Sequence, residues 1–251
     1  MAAAILQARR LVVEYGGRRV IDALDLEVAG GTVYALLGGN GAGKTTTLNT
    51  FLGFVKPAAG DVLVAGTAVQ HDPQEARDRL AYLPENVALY PYLSGLENLQ
   101  YFCVLAGIRI DASRAGELLS QAGLQAAAHA QRASTYSKGM RQKVGLAIAH
   151  AKHAKAMLLD EPTSGLDPSA ANDFAARVRE ARDKGMAVLM ATHDLFNAKQ
   201  VADRIGIMHE GRLVEEFAAH AVGHDALERI YLAHARGVTA DPFTDAEESG
   251  P

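Results

Sequence analysis

The chain has 251 residues, is 49% apolar and carries a net charge of -4 with a pI near 6.1. It therefore has enough apolar residues to bury a core, and no overall basic field that would favour nucleic acid as a partner. This length lies near the upper end of what one core supports, which favours one domain with an attached subdomain over two independent units.

Cys103 is the single cysteine, so no internal disulfide can form, and its apolar surroundings at residues 99–106 predict a buried thiol. Residues 1–6 lack the charged start and apolar stretch of a signal peptide. No segment approaches the roughly 18 to 20 apolar residues that span a bilayer. The expectation is a cytoplasmic protein that meets a membrane only through a partner.

In chain order, short β-like segments come first, at residues 11–14, 20–21, 24–28, 32–37 and 61–65. They predict an N-terminal antiparallel patch beside the first parallel strand. Apolar residues then recur at helical spacing over 94–153, with breaks at Gly107, Asp111 and Gly123, which predicts a helical insertion. A strand at 156–160, a helix at 169–183, a strand at 187–191, another helix and a strand at 204–208 follow. A last helix is expected over 219–235, its apolar side formed by Leu227, Ile230, Tyr231 and Leu232 and docked on the core or on a dimer partner. Strands alternating with helices predict an α/β fold with a mostly parallel sheet covered on both faces. Residues 237–251 are acidic, hold Pro242 and Pro251 and lack periodicity, so a disordered tail is expected.

Residues 38–45 read Gly-Gly-Asn-Gly-Ala-Gly-Lys-Thr, the pattern G-x-x-x-x-G-K-[ST] set between a strand and a helix. Gly38, Gly41 and Gly43 permit positive φ and close approach, so the backbone N–H groups of the loop, including those of Asn40 and Ala42, can turn around phosphate oxygens. The helix that follows adds partial positive charge at its start, near Thr46. Lys44 is placed to bind the β- and γ-phosphates, and the Thr45 hydroxyl to ligate Mg²⁺. The expected ligand is a nucleoside triphosphate, and the core is that of a P-loop NTPase. Downstream, an apolar strand ends in Asp160-Glu161, which delivers one carboxylate for the Mg²⁺ shell and another, Glu161, as general base for a water attacking the γ-phosphate.

Residues 136–142, Tyr-Ser-Lys-Gly-Met-Arg-Gln, resemble the signature loop of ATP-binding cassette (ABC) ATPases. Ser164-Gly-Leu-Asp167 resembles the loop that follows the catalytic carboxylate there, Thr192-His-Asp194 the switch histidine, and Tyr15 the aromatic that stacks on adenine. The motifs occur in family order over residues 11–215. The resemblance implies a single nucleotide-binding domain over 1–236, with its helical subdomain at about 88–153. It also implies a head-to-tail dimer, most simply a homodimer, with two ATP molecules between subunits. Lys44, Thr45, Asp160, Glu161 and His193 would come from one chain, Ser137 and Gly139 from the other, and Asp167 would couple the two sites. Implied too are an integral membrane permease as partner, a place on the cytoplasmic face of the inner membrane, and transport in the export direction.

The chain departs from the family pattern in places. Glu85 stands where Gln is common; a carboxylate there can still ligate Mg²⁺ or orient water, but adds negative charge near the triphosphate. Lys138 and Met140 replace the commoner Gly and Gln of the signature, which leaves Ser137 and Gly139 as the contacts that carry over. Gly39 stands where many members have Pro. Residues 82–95 together with 135–142 are similar to the ATPase subunits of the copper-enzyme maturation exporter that serves nitrous oxide reductase, a pattern also found among exporter ATPases with separate permease chains.

Other features carry competing readings. Tyr90 and Tyr92 suit a socket for a permease coupling helix, or packing of the helical insertion on the sheet. His150 with His153, and His220 with His224, have the spacing to share a helix face, but lack further ligands for a metal. A soluble ABC ATPase acting in translation or DNA repair is the alternative class; the paired cassettes or long coiled coils of such proteins are absent from this sequence. A phosphotransferase on the same loop would leave residues 137–139 unexplained.

Overall fold

The structure is a computed structural model that describes residues 3–235; the tail expected at 237–251 lies outside them. In chain order its elements are β1 (Ala4–Tyr15), β2 (Arg18–Ala29), β3 (Val33–Leu37), α1 (Lys44–Phe51), β4 (Ala59–Val64), β5 (Thr67–Ala68), α2 (Pro73–Asp78) and β6 (Leu80–Leu83). There follow α3 (Gly95–Leu105), α4 (Ala112–Gln121), α5 (Lys138–Ala151), β7 (Ala156–Asp160), α6 (Pro168–Asp183) and β8 (Ala187–Thr192). The described chain closes with α7 (Leu195–Val201), β9 (Arg204–His209), β10 (Arg212–Ala218) and α8 (His224–Ala235).

β1 and β2 form a long hairpin whose turn residues, Gly16 and Gly17, both have positive φ, as a two-residue turn between twisted strands requires. The sequence pattern suggested two short strands at 20–21 and 24–28, whereas β2 is continuous. The alternation of buried residues skips between Ile21 and Leu24 because Ala23 takes a left-handed conformation at an irregularity in the pairing. With β4 and β5 the hairpin makes an antiparallel sheet in the order β2-β1-β4-β5.

The second sheet runs β10-β9-β3-β8-β7-β6. Its strands from β9 to β6 are parallel, and β10 pairs antiparallel to β9 at the edge. Every residue of β3, β7 and β8 is buried, and period-2 alternation sends them into two cores. Val33, Ala35, Leu37, Met157, Leu159, Val188 and Met190 join one core with Leu99, Cys103, Leu118 and Leu146 of α3, α4 and α5. Tyr34, Leu36, Leu158 and Leu189 face the other, with Leu48 of α1 and the inner residues of the antiparallel sheet. Truncating any of these leucines would cost about 2–5 kcal/mol.

The helical segment begins where the spacing predicts. Ser94 caps α3 and Glu97 returns the bond in a capping box, with Ser94 Oγ accepting from the Glu97 N–H at 3.2 Å. Cys103 is fully buried, as expected, and burial pushes its thiol pKa up.

Three expectations are corrected. His153 lies beyond the end of α5 with φ of 49°, so it does not share a helix face with His150. His220 belongs to a short 3-10 turn at Ala219–Ala221, and α8 starts only at His224, so that pair is not stacked on one helix either. The last helix is correspondingly shorter than 219–235. Within it, Leu227 and Ile230 are buried and Tyr231 packs beside them, while Leu232 is exposed.

Candidate active site

The order β3-β8-β7-β6 sets four chain segments side by side along the carboxyl ends of the parallel strands, the edge at which open α/β sheets bind ligands. After β3 comes the glycine-rich loop, after β8 His193, at the end of β7 Asp160 and Glu161, and after β6 Glu85. Val20, Gly39, Asn40, Gly41, Ala42, Gly43, Lys44, Thr45, Thr46, Glu85, Asp160 and Glu161 line one cavity of about 320 Å³.

The loop's glycines have distinct reasons. Gly41 and Gly43 adopt φ of 80° and 107°. Gly38 is held by close approach instead, since a Cβ there would stand 2.5 Å from the Met208 carbonyl oxygen. Gly38 does not line the cavity as expected; its carbonyl accepts a 2.6 Å hydrogen bond from Lys44 Nζ, with the Gly39 carbonyl a longer acceptor at 3.3 Å. A Cβ on Gly39 would meet open space.

Lys44 is buried at the start of α1, its ammonium 3.7 Å from Glu161 Oε1. Burial pulls its pKa below the ordinary lysine value, against the opposing pull of Glu161 and Asp160. The Thr45 hydroxyl donates to Asp160 Oδ1 at 3.2 Å. Burial pushes the Asp160 carboxyl above its ordinary pKa; the Thr45 hydrogen bond and Lys44 oppose the shift, while Glu161 and Glu85 add to it. Three carboxylates thus face one ammonium, and two oxygen donors stand side by side. A small hard cation with oxygen preference fits that donor set, and Thr45, Asp160 and Glu85 are the residues that would hold Mg²⁺.

Glu161 has φ of 45°, in the left-handed region that non-glycine residues avoid. Its N–H donates to the Ala191 carbonyl at 2.8 Å, which fixes the turn against the end of β8. Its side chain accepts from Thr192 Oγ1 at 3.0 Å and from the His193 N–H at 3.3 Å, and His193 Nδ1 is 2.9 Å from the other carboxylate oxygen. These contacts fix the carboxylate beside the glycine-rich loop, as the positioning of a general base requires.

The remaining expected residues lie apart from the cavity. Ser137 is exposed and caps α5, accepting from the Met140 N–H at 3.3 Å, and Gly139 follows in the first turn. Asp167 caps α6, accepting from the Ala170 N–H at 2.9 Å. Tyr15 is half exposed at the hairpin tip, opposite Arg18. Arg18, Arg19 and His209 line a wider groove that adjoins the loop residues Gly39, Asn40, Gly41 and Ala42. Sequence reasoning did not single out these three, and it took Thr192 only as part of the motif around His193, without the bond to Glu161; a threonine closing a buried strand directly before His193 was the available signal for that role.

A family model described as ABC transporter matches residues 21–164, which include the glycine-rich loop, the signature and Asp160-Glu161. The chain belongs to the ABC transporter family. It is 36% identical over 235 residues to the Nod factor export ATP-binding protein I of Burkholderia orbicola (strain AU 1054), covering 91% of this chain and 77% of that protein. A solved ATP-binding subunit of an ABC transporter is 28% identical and superposes with a TM-score of 0.78, covering 91% of this chain and 99% of the other. A dimeric ATP-binding cassette in a post-hydrolysis state bound to ADP and Pi shares the fold, with 22% identity and a TM-score of 0.75 over 85% of this chain and 98% of the other. The chain is thus an ABC ATPase, the nucleotide-binding and nucleotide-hydrolysing subunit of a transporter. Among its described residues no helix is long and apolar enough to cross a membrane.

Proposed function

We propose that this ABC ATPase binds Mg-ATP, dimerises head-to-tail around two nucleotides and drives a separate membrane permease in the export direction from the cytoplasmic face of the inner membrane. The observation that carries the reading is the convergence of Lys44, Thr45, Asp160 and Glu161 on one cavity, with His193 against Glu161.

Within it, the loop N–H groups and Lys44 bind the phosphates, Thr45 and Asp160 hold Mg²⁺ with Glu85 beside them, and Tyr15 stacks on the base. The cation would lower the charge of the triphosphate and orient its oxygens. Glu161, held by Thr192 and His193, orients a water and takes its proton. The exposed cap at Ser137 and the N–H of Gly139 at the start of α5 suit the γ-phosphate of a nucleotide on a second copy, since a helix N-terminus favours anions. Asp167, at the start of α6, completes the seam.

Permease docking is supported by an apolar groove of about 300 Å³ lined by Tyr82, Pro84, Val87, Leu89, Phe102 and Ile148. Tyr90, edge-on to Tyr101 at 4.6 Å between ring centroids, and the 82%-exposed Tyr92 extend that face. The relative named as an export protein supports this direction over a soluble role in translation or DNA repair.

Affinity purification of the tagged chain from detergent-solubilised membranes tests the reading. Co-purification of a multi-span permease is the expected result, and its identity would also decide whether a copper-enzyme maturation exporter is involved. Recovery of only ribosomal or DNA-bound partners would overturn it.

A further inference from the structure

Two departures from the family pattern meet in space. Lys138 Nζ lies 3.6 Å from Glu85 Oε1, and the same oxygen accepts a 3.0 Å hydrogen bond from Ser164 Oγ. Glu85 belongs to the segment after β6, Lys138 opens α5, and Ser164 follows Glu161, so one carboxylate oxygen joins three segments around the site.

The position of Lys138 needs an explanation of its own. It is the first residue of α5, where the helix dipole disfavours a cation, and α5 has no acidic residue in its first turn to offset it. Glu85 poses the converse problem. It lines the phosphate cavity beside Asp160 and Glu161, where Lys44 is the one lining cation among the described residues, and its charge reaches Asp160. Each residue is poorly placed alone, and together their charges cancel.

We infer that Lys138 is a positioning residue matched to Glu85: the ion pair, completed by Ser164, neutralises the extra carboxylate and holds it at the rim of the cavity, so that a site with Glu in place of Gln still accepts a triphosphate. The same pair ties the start of α5, which offers Ser137 and Gly139 outward, to the chain's own nucleotide cavity. The inference rests on the reading of that cavity as the Mg-ATP site.

The test is a double-mutant cycle on the full chain: wild type, Lys138→Gln, Glu85→Gln and the double variant. Affinity is read by titrating a fluorescent ATP analogue with Mg²⁺, and thermal melting confirms that each variant is folded. Lys138→Gln should weaken binding about 3- to 10-fold by leaving Glu85 uncompensated. Against the Glu85→Gln variant's own affinity, whatever its value, adding Lys138→Gln should cost less than about two-fold, because the carboxylate it balances is gone. The Lys138→Gln penalty should also shrink as salt is raised. An unchanged affinity in Lys138→Gln, or a penalty that persists in the double variant, would overturn the pairing. Failure of the wild type to bind would instead remove the Mg-ATP reading on which it rests.

Discussion

Glu161 is gripped by two consecutive residues at the end of β8 and just beyond it: Thr192 Oγ1 donates to one carboxylate oxygen at 3.0 Å, and His193 Nδ1 stands 2.9 Å from the other. The backbone at Glu161 is left-handed, so the side chain is presented by a strained turn that these contacts stabilise. Glu161→Gln keeps the size and most of the hydrogen bonding but removes the base. Phosphate release should slow by roughly 10²- to 10⁴-fold while ATP binding persists. Turnover near wild type would take the base role from Glu161.

Lys44 is buried and its ammonium donates to the Gly38 carbonyl, so it shapes the loop as well as charging it. At a hundred-fold excess of ATP over its dissociation constant, binding should stabilise the wild type by about 2.7 kcal/mol. For a domain of this size that is a rise of roughly 5–10 °C in Tm. Lys44→Ala should abolish the rise; an undiminished shift in a thermal scan would remove the lysine from phosphate binding.

Asp160 gives a pH-dependent prediction for the nucleotide-free protein and a Mg²⁺-dependent one for the loaded protein. Burial raises its pKa above the ordinary value of 3.8, so between the unfolded and folded values the native state holds more protons than the unfolded chain. Stability of the nucleotide-free protein therefore falls as pH rises through that window, and the ionised carboxylate destabilises the fold at neutral pH. Asp160→Asn should raise the nucleotide-free Tm near neutral pH, with the advantage narrowing as the pH is lowered toward the ordinary aspartate range. The same variant should lose the Mg²⁺-dependent part of ATP stabilisation. Thermal scans across pH, with and without Mg-ATP, check both; a lower nucleotide-free Tm at neutral pH would contradict the sign.

Ser137 caps α5 from an exposed position, so a large side chain there can be accommodated by the isolated chain. Ser137→Arg should cost about 1 kcal/mol of capping and leave the fold intact. It should also block ATP-induced association. Analytical ultracentrifugation with ATP and Glu161→Gln in the background reads this, and a surviving ATP-dependent dimer would refute the head-to-tail arrangement.

What the sequence disclosed was local. The strand, glycine loop and helix around Lys44 could be read because the pattern and its flanks are contiguous, and Asp160-Glu161 because an apolar run ends there. β10 went unread because it is an edge strand whose residues are only partly buried and carry charges, which hides the alternation. The histidine pairs failed because helix ends are fixed by capping and backbone conformation, as the left-handed His153 shows, and not by spacing. The bond between Ser164 and Glu85, and the nearness of Lys138 to both, join segments far apart in the chain, so only the sheet order could reveal them.

That sheet order also bears on how the protein is made. β3, whose five residues are all buried, finds its neighbours in β8 and β9, with Val33 paired to Val188 and Tyr34 to Arg204. A ribosome therefore delivers the glycine-rich loop early but its supporting strands last, and the apolar β3 has no partner in its own sheet while the intervening chain is synthesised. Nascent chains stalled before Val188 should bind no ATP and should attract holding chaperones, whereas release after β9 should restore both silence and affinity in one step.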